Sequence, residues 1–434
     1  MTSISADQPA SGLPERVMRK AQWRLLPLLF LAYLIAIVDR SNISFAAATM
    51  NADLGFTATV YGFAGGVFFV SYALLEVPSN VAMMRFGTRI WLTRIMISWG
   101  VISAATMFVQ TPMQFYVLRF LLGAAEAGFF PAILFYASIW FPARWRGRAV
   151  SRFYVAQPVS QIVMGLVSGP ILDLDGMAGL HGWQWLFFLE AIPAIVMGII
   201  IFRTLPDSPA TVGWLEPEER QWLQGALAAD AASNSGARHE SVLRAISDRR
   251  VLLFGLAWLF FAGAGNAYLV SMPQILGAKT GIDANIIGQI IAIGGGFGVA
   301  LIIGLGWQSD KRQERFWHVL VPWIVTLAAI AAMAVTASPI VVIVAALLVA
   351  ATNLPSQPVF FSALTETLHE RHRAVGVAAV NTFGQFGSFL GVSAFGVAKD
   401  ATGSYDAGLA VVAASMAVGA LLLNRIRRET ASPR

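Results

Sequence analysis

The sequence contains no cysteine, which excludes disulfide bonds, thiol catalysis and metal sites built on thiolates. Charged residues are also scarce, at 12% of the chain against about 25% in an ordinary soluble domain, whereas 57% of the residues are hydrophobic. A soluble protein of 434 residues exposes too much surface to water to hide that share of apolar residues. The five histidines are scattered, so we expect neither a metal site nor a cofactor. The sequence also lacks a Walker A motif, an HExxH motif and a nucleophile–base pattern, which disfavours an enzyme and an ATP-driven pump.

Long apolar runs take the place of these features. Twelve runs reach about 20 residues, the length that crosses about 30 Å of hydrocarbon as a helix. The runs are continuously apolar rather than alternating, which argues against the strands of a membrane β-barrel. Glycine clusters at 294–298 and 384–391 lie inside such runs and indicate close helix packing rather than phosphate-binding loops. The prediction is an all-α integral membrane protein with transmembrane helices at 24–48, 58–82, 91–109, 112–140, 151–173, 183–204, 251–276, 284–308, 317–336, 339–365, 375–398 and 406–424.

The basic residues are distributed unevenly. Of the 30 lysines and arginines, 26 lie in the two tails and in alternate loops or beside them, and the other loops carry only Lys279 and Lys399. Because cytoplasmic loops are enriched in lysine and arginine, this distribution predicts that both termini are cytoplasmic. It also accounts for the net charge of +6 without a nucleic-acid partner, and leaves the lipid bilayer as the surrounding partner.

The two halves of the chain resemble each other. Basic loops follow spans 2 and 4 at Arg85 and Arg144, and spans 8 and 10 at Lys311 and Arg371, with nearly the same spacing. The loops of any membrane protein share this charge, but a long polar break also divides six spans from six, so we expect two pseudo-symmetric six-helix bundles. The predicted order is a cytoplasmic N-terminal tail at 1–23, a first bundle at 24–204, a cytoplasmic linker with one short surface helix at 205–249, a second bundle at 250–424 and a cytoplasmic C-terminal tail at 425–434.

Ionisable residues inside the apolar spans are the main functional signal. Each costs about 2.5–3.5 kcal/mol at the centre of a membrane helix, so it requires a partner, a water-filled cavity or a function. The first span carries Asp39, Arg40 and Asn42 past its midplane, and the fourth carries Arg119 and Glu126 nearly on one face. A buried structural ion pair is the alternative reading. We favour one polar cavity in which helices 1 and 4 bring two carboxylates and two guanidinium groups together.

Such a cavity suits coupled transport. A carboxylate in it can alternate between a protonated state and an ion pair with arginine. The arginine then engages or releases a substrate anion, and its planar fork binds both oxygens of a carboxylate.

Uncharged polar residues inside the spans, and acidic residues near the ends of the spans, are weaker candidates for the functional site. Tyr72 could bond a substrate oxygen or simply wedge between helices. Gln157 and Asn381 each share a helix face with a second amide four residues on, a pattern that helix–helix hydrogen bonding explains equally well. The second half offers amides and aromatic residues but no ionisable group deep in a span. Three acids are expected near span ends, in contact with water and in structural roles: Glu76, Glu190 and Glu366.

Several motifs resemble those of known transport proteins. Twelve spans in two halves, with the loop Gly306-Trp-Gln-Ser-Asp310-Lys-Arg312 after span 8, resemble the major facilitator superfamily. In the equivalent first-half loop, Asn80 and Met84 stand where that motif usually has Gly and Asp. Four further segments are similar to the anion:cation symporter family: Asp39-Arg-Ser-Asn42, Arg119…Gly123-Ala-Ala-Glu126-Ala-Gly-Phe-Phe-Pro131, Trp140-Phe-Pro142 and His181-Gly-Trp-Gln-Trp185.

Members of that family bring organic anions across the bacterial inner membrane together with protons. The resemblance implies that Asp39 and Glu126 are the proton-linked carboxylates. It also implies that Arg40 holds the substrate carboxylate, that Arg119 supports the network, and that the two bundles rock about a central site in alternating access. The predicted substrate-binding residues are Arg40, Arg119, Asn42, Tyr72, Gln157 and Asn381.

The sequence therefore predicts a monomeric, proton-coupled importer of a small organic carboxylate in the bacterial inner membrane. The carboxylate could be a sugar acid, a tartrate-like acid or an aromatic acid. A transporter-like membrane sensor is a second hypothesis, although the central loop is short for a signalling domain. An uncoupled facilitator or an efflux carrier for organic anions is a third.

Overall fold

The computed structural model describes residues 12–234, 247–368 and 373–431, and the regular secondary structure in these ranges is helical. The described α-helices are α1 Leu13–Leu54, α2 Ala58–Phe86, α3 Thr88–Ala105, α4 Pro112–Glu126, α5 Phe129–Trp140, α6 Ala143–Tyr154, α7 Ala156–Leu172, α8 Gly182–Thr204, α9 Pro217–Asn234, α10 Arg249–Thr280, α11 Ala284–Arg312, α12 Phe316–Val335, α13 Pro339–Thr352, α14 Ser356–Thr367, α15 Arg373–Thr402 and α16 Tyr405–Ala431.

Eleven segments of the described chain are long and apolar enough to cross a membrane. They match eleven of the predicted spans and confirm the all-α membrane class. At the remaining span, 151–173, helix α7 has 17 residues and follows α6 after an interruption at Val155. Pro158 has no N–H for the carbonyl of Tyr154, which interrupts the helix there. Seventeen residues still fall within the range of about 17–25 that a transmembrane helix uses.

Helix ends follow local sequence signals. Thr57, Thr111 and Asp283 precede α2, α4 and α11, and each side-chain oxygen accepts a hydrogen bond from a backbone N–H of the first turn. Gly55 and Gly281 follow α1 and α10 in the left-handed conformation, with φ angles of 65° and 70° that glycine adopts at little cost. These signals set the short turns between consecutive long helices.

The fourth predicted span is divided into α4 and α5 at Ala127 and Gly128. Pro131 has no N–H for the carbonyl of Ala127, and this carbonyl instead accepts a hydrogen bond of 2.6 Å from Ser79 Oγ. Gly128 has a φ of 85°, and a Cβ at this position would lie 2.4 Å from Ser79 Oγ, so only glycine fits. The break makes Glu126 the last residue of α4.

The second half repeats this break between α13 and α14. The spacing of 227 positions that relates the start of α4 to the start of α13 also relates Glu126 to Asn353 and Pro131 to Pro358. Each bundle therefore has a polar residue at an interrupted helix. The repeat supports the two pseudo-symmetric bundles expected from the loops.

Helix α1 begins at Leu13, eleven residues before the predicted span edge, because its first turns pack on the linker helix α9. Glu219 of α9 is fully buried and accepts hydrogen bonds of 2.8 Å from Lys20 Nζ, while Arg16 Nε lies 3.1 Å from it. The surface helix predicted in the linker is thus present as α9 and is bound to the start of α1. We name the end of the molecule that carries α9 the linker face, and the other end the opposite face.

Glu219→Gln is expected to lower the unfolding temperature by about 2 °C at pH 7, because it removes a charge-assisted hydrogen bond worth about 1–2 kcal/mol. Burial alone raises the pKa of Glu219, but the hydrogen bonds from Lys20 and from its own first turn, with the nearby cationic charges, hold that pKa below its usual range. The stabilisation is therefore full above the ordinary pKa of 4.5 and is lost as the pH falls below it. Glu218→Gln, at the exposed preceding position, is the control. Equal melting of wild type and Glu219→Gln between pH 5 and pH 8 would contradict this role.

The two bundles meet along α2 and α15 and along α7 and α11. A Cβ on Gly165 of α7 would lie 2.1 Å from the carbonyl oxygen of Gly288 on α11, so these backbones touch. A Cβ on Gly66 of α2 would lie 2.8 Å from the ring of Phe389 on α15. Except for Gly296, the glycines of the clusters at 294–298 and 384–391 also pack against neighbouring helices, in agreement with their predicted packing role. Among the described glycines, the close approaches between the bundles at Gly165–Gly288 and Gly396–Ala58 lie toward the opposite face.

Candidate functional site

A polar cavity lies between the two bundles, with a volume of about 230 Å³. The first bundle contributes both arginines predicted for the site, Arg40 and Arg119, together with Gln157. The second bundle contributes amides and the aromatic residues Trp258 and Phe261. The amides of the second bundle that line the cavity are Asn266, Asn353, Gln357, Asn381 and Gln385.

Arg40 forms an ion pair with Glu126 at the break between α4 and α5. The Arg40 Nε atom donates to Glu126 Oε1 at 2.5 Å, and the Glu126 side chain is 1% exposed. The guanidinium also lies over two rings of α2, with its Cζ atom 4.8 Å from the centre of Tyr72 and 5.5 Å from that of Phe68. The second carboxylate oxygen of Glu126 has no hydrogen-bond partner among the described residues. Arg40 is therefore held between a carboxylate and an aromatic wall while one side of it reaches the cavity.

Arg119 is a buried cation without an ion-pair partner in the described part of the chain. It is 4% exposed, and its Cζ atom lies 4.9 Å from the centre of the Phe68 ring. No described carboxylate lies within 4.0 Å of its guanidinium, and its Nε atom lacks a hydrogen-bond partner there. Buried charges are normally paired, because an unpaired one loses its hydration without compensation. Arg119 thus presents an unsatisfied positive charge to the cavity.

Asp39 lies behind the cavity rather than in it. Its side chain is 1% exposed and accepts hydrogen bonds from Ser103 Oγ of α3 at 2.5 Å and from Asn42 Nδ2 at 3.3 Å. Among the described residues, no arginine or lysine nitrogen lies within 4.0 Å of this carboxyl. Asp39 and Glu126, the two carboxylates assigned to proton coupling, therefore have different partners.

The eight predicted site residues divide into two groups of four. Arg40, Arg119, Gln157 and Asn381 line the cavity. The other four stand behind it, where Glu126 and Tyr72 contact Arg40 and where Asn42 contacts Asp39. Sequence reasoning did not find Phe68 or Ser103, since a phenylalanine or a serine in an apolar helix gives no signal of its own.

One expectation about the remaining acids is wrong. Glu190 was expected in contact with water near a span end, but its residue is 6% exposed and neither carboxyl oxygen has a hydrogen-bond partner among the described residues. It lies eight residues into α8, about 12 Å from the first residue of that helix. Glu366 is exposed and pairs with Arg315 at 2.9 Å, as expected of an acid in a structural role.

The fold and the site define a class of protein: two bundles of membrane-spanning helices around a central polar cavity form the architecture of a secondary transporter. The Major Facilitator Superfamily matches residues 29–392, and the chain belongs to this superfamily. The superfamily consists of transporters, so the chain is a multi-pass membrane transporter and not an enzyme.

Individual relatives agree with this assignment. The chain is 41% identical over 414 residues to a protein of Agrobacterium vitis named "Putative tartrate transporter", covering 95% of this chain and 91% of the relative. It is 36% identical over 409 residues to the "Quinolone resistance transporter" of Acinetobacter baumannii, covering 94% of each. Its fold is similar to the partially occluded, inward-open xylose transporter XylE of E. coli, with a TM-score of 0.75 at 16% identity over 94% of this chain and 98% of the other. The tartrate relative fits the anion:cation symporter resemblance.

Proposed function

We propose that this protein imports a small organic carboxylate together with protons, by alternating access. The observation that carries the proposal is Arg119, a buried guanidinium that faces the cavity without a carboxylate partner in the described chain. A substrate carboxylate supplies the missing negative charge, and the fork of the guanidinium binds both of its oxygens. In this account Arg119 is the primary anion site, and Arg40, already paired with Glu126, joins it during transport.

The remainder of the cavity suits a small and hydroxylated acid. Its volume of about 230 Å³ is below the range of about 300–1,000 Å³ typical of pockets for drug-sized ligands. Asn381 and Gln157, from opposite bundles, offer amide donors and acceptors to hydroxyl groups. The relative named as a tartrate transporter supports an acid of this kind, and tartrate is the first substrate to test.

Coupling follows from competition for Arg40. While Glu126 is ionised, it holds the Arg40 guanidinium. A proton on Glu126 weakens that ion pair and frees Arg40 to bind the substrate, so proton and substrate favour the same state. The Phe68 ring packs against both arginines. A movement of the Arg40 side chain therefore changes the packing of a ring that Arg119 also contacts. Asp39 serves as the second proton-carrying group, away from the substrate.

The access state follows from the contacts between bundles. Toward the opposite face, the Asp400 carboxylate accepts hydrogen bonds from the N–H groups of Ala58 and Thr59 at 3.0 and 2.6 Å, and Tyr61 donates to the carbonyl of Val270 at 2.9 Å. These bonds join the two bundles on that side. If the linker face lies in the cytoplasm, as the distribution of basic residues predicts, these bonds close the external side, and we propose that the cavity opens toward the cytoplasm. We further propose that the host membrane is the bacterial inner membrane and that the transporter acts as a monomer.

Asp400→Asn is expected to increase exposure of the cavity to the external side. Ala58 and Thr59 donate to different oxygens of Asp400, and the NH2 group of asparagine cannot accept, so one of the two hydrogen bonds is lost and the other loses its charge assistance. The native chain has no cysteine, so a Ser44→Cys variant carries a single thiol at the cavity wall. Labelling of that thiol by a membrane-impermeant maleimide added outside should become several-fold faster. Asp406→Asn is the control, because Asp406 pairs with Lys279 within the second bundle. Unchanged labelling in Asp400→Asn would show that this bond does not hold the external side closed.

The experiment that tests the function is a thermal-shift screen of small carboxylates on purified protein, followed by uptake of the hits into proteoliposomes under a pH gradient. Hydroxylated dicarboxylates are expected to stabilise the protein, and an acidic exterior is expected to drive their accumulation. A screen in which amines or neutral sugars stabilise the protein and no carboxylate does would contradict the proposal.

Efflux of an aromatic acid is a second candidate, supported by the relative named for quinolone resistance and by Trp258 and Phe261 in the cavity wall. The same liposomes distinguish the two functions. An exporter moves a quinolone against its gradient in exchange for protons, whereas an importer accumulates its acid in the direction of proton flow.

A further inference from the structure

Glu190 is a buried carboxyl group that the proposed cycle has not used. Its residue is 6% exposed, and neither of its oxygens accepts a hydrogen bond within the described ranges. It belongs to α8, which packs on α1, α3 and α7 inside the first bundle, and it does not line the central cavity. A carboxyl group in such surroundings needs an explanation, since buried polar atoms are normally hydrogen-bonded.

The groups that face Glu190 come from α1. The Asn42 amide lies beside Glu190 and also donates to Asp39, so one amide stands between two carboxyl groups. Helix α7 contains no charged residue. On α3, Arg89 pairs with Asp207 and Arg94 donates to a backbone carbonyl of α4, so both arginines are engaged elsewhere. The ionisable neighbour of Glu190 is therefore another acid.

The surroundings of these two carboxyl groups favour a proton on one of them. Two ionised carboxylates around one amide would combine like charges with burial, and among the described residues no arginine or lysine nitrogen lies within 4.0 Å of either carboxyl to offset them. Ser103 Oγ and Asn42 Nδ2 both donate to Asp39, whereas the oxygens of Glu190 lie beside Asn42 without a hydrogen bond of good geometry among the described residues. A proton on the pair removes one charge and converts one acceptor into a donor. Closely spaced carboxyl groups elsewhere share a single proton for this reason.

We infer that Asp39 and Glu190 hold one proton between them across the Asn42 amide, which makes Glu190 part of the proton-carrying site. The inference rests on the proposed proton coupling and extends it to a third helix. The proton of this pair is separated from the substrate, because neither carboxyl lines the cavity, whereas Glu126 touches Arg40 directly. Glu190 is thus a proton-site residue that acts through Asp39 and does not touch the substrate.

The test compares Glu190→Gln, which keeps the shape and removes the acid, with Glu190→Asp, which keeps the acid and shortens the side chain. Uptake of radiolabelled tartrate into proteoliposomes is measured against external pH, with tartrate exchange at saturating substrate as the check that each variant is folded. In Glu190→Gln, Asp39 loses the like charge that favours retention of the proton, so the alkaline limit of uptake should move down by about one pH unit. Glu190→Asp should keep the wild-type limit. If Glu190 had only a packing role, Glu190→Asp should change uptake more than Glu190→Gln, because glutamine matches the shape of glutamate more closely.

The possible outcomes distinguish a failure of the shared proton from a failure of the proposed proton-coupled uptake. Suppose that uptake by the wild type depends strongly on pH. An alkaline limit of uptake that is unchanged in Glu190→Gln, or that shifts equally in Glu190→Gln and Glu190→Asp, overturns the shared proton and leaves proton coupling intact. Tartrate uptake by the wild type without any pH dependence overturns both. Infrared spectroscopy of the substrate-free wild type at pH 7 gives a readout that needs no variant. The shared proton predicts the C=O band of a protonated buried carboxyl, shifted by ¹³C-labelled glutamate or aspartate, and absence of the band overturns it.

Discussion

Replacement of Arg119 by glutamine is expected to weaken binding of a small carboxylate by about 100-fold. The change removes two charge-assisted hydrogen bonds, each worth about 1.5–3 kcal/mol, and tenfold in affinity corresponds to about 1.4 kcal/mol. The cost falls near the lower end of that sum, because wild-type Arg119 already lies against the Phe68 ring and gives up part of this contact on binding. Titration calorimetry of purified protein with tartrate measures the effect directly.

Arg119→Lys and Arg40→Gln provide the comparison. Lysine keeps the charge but loses the planar fork, so Arg119→Lys should bind with intermediate affinity. Arg40→Gln should weaken binding less than Arg119→Gln, because wild-type Arg40 is already paired with Glu126. The same affinity in Arg119→Gln as in the wild type would show that the substrate carboxylate binds elsewhere. A larger loss in Arg40→Gln than in Arg119→Gln would reverse the proposed order of the two arginines.

Asp39→Asn is expected to abolish accumulation of substrate driven by a pH gradient while sparing exchange of substrate across the membrane. Asparagine keeps the size of the side chain and its contact with Ser103, but it cannot carry a proton between the two sides. Binding and exchange should persist, because Asp39 does not line the cavity. Uptake driven by an acidic exterior, measured beside counterflow in the same liposomes, separates the two activities.

The control for this variant is Ser103→Ala, which removes the hydrogen-bond donor at 2.5 Å and leaves the carboxyl of Asp39 in place. Gradient-driven uptake should survive in Ser103→Ala with a changed pH dependence, since loss of a bond to the charged form favours protonation. Wild-type accumulation in Asp39→Asn would remove Asp39 from the coupling mechanism. Loss of exchange as well as accumulation would indicate that Asp39 is needed for the structure of the bundle.

Much of the fold follows from the sequence, because the physical constraint is strong. A helix in hydrocarbon must satisfy its own backbone groups, so long apolar runs such as 339–365 have few alternatives. The ends of the helices are less predictable. Helix α1 begins at Leu13 because Lys20 forms a hydrogen bond with Glu219, which lies 199 positions away in the sequence. The interruption at Ala127 has a local signal in Pro131, but the sequence does not show that Ser79 completes the freed carbonyl.

The sequence predicts which charged residues belong to the site, but not which of them form ion pairs with each other. The cost of a charge in the membrane identified Arg40 and Arg119, and both line the cavity. Depth along a helix does not fix its rotation, so the sequence could not reveal that Arg40 is engaged by Glu126 while Arg119 is free of a described carboxylate. The burial of Glu190 does not follow from the sequence for the same reason. Its position along the span suggested access to water, whereas the faces of α1 and α3 that cover it are set by tertiary packing.

The central claim is that proton flow drives a carboxylate into this cavity, and proteoliposomes loaded at neutral pH and diluted into acidic medium with radiolabelled tartrate test it most directly. A gradient of one pH unit supplies about 1.4 kcal/mol per proton, which supports about tenfold accumulation for each proton coupled. We expect internal tartrate to exceed the external concentration, and a protonophore to abolish the excess. Tartrate that only equilibrates across the membrane, at a rate and level unaffected by the pH gradient or the protonophore, would contradict the account.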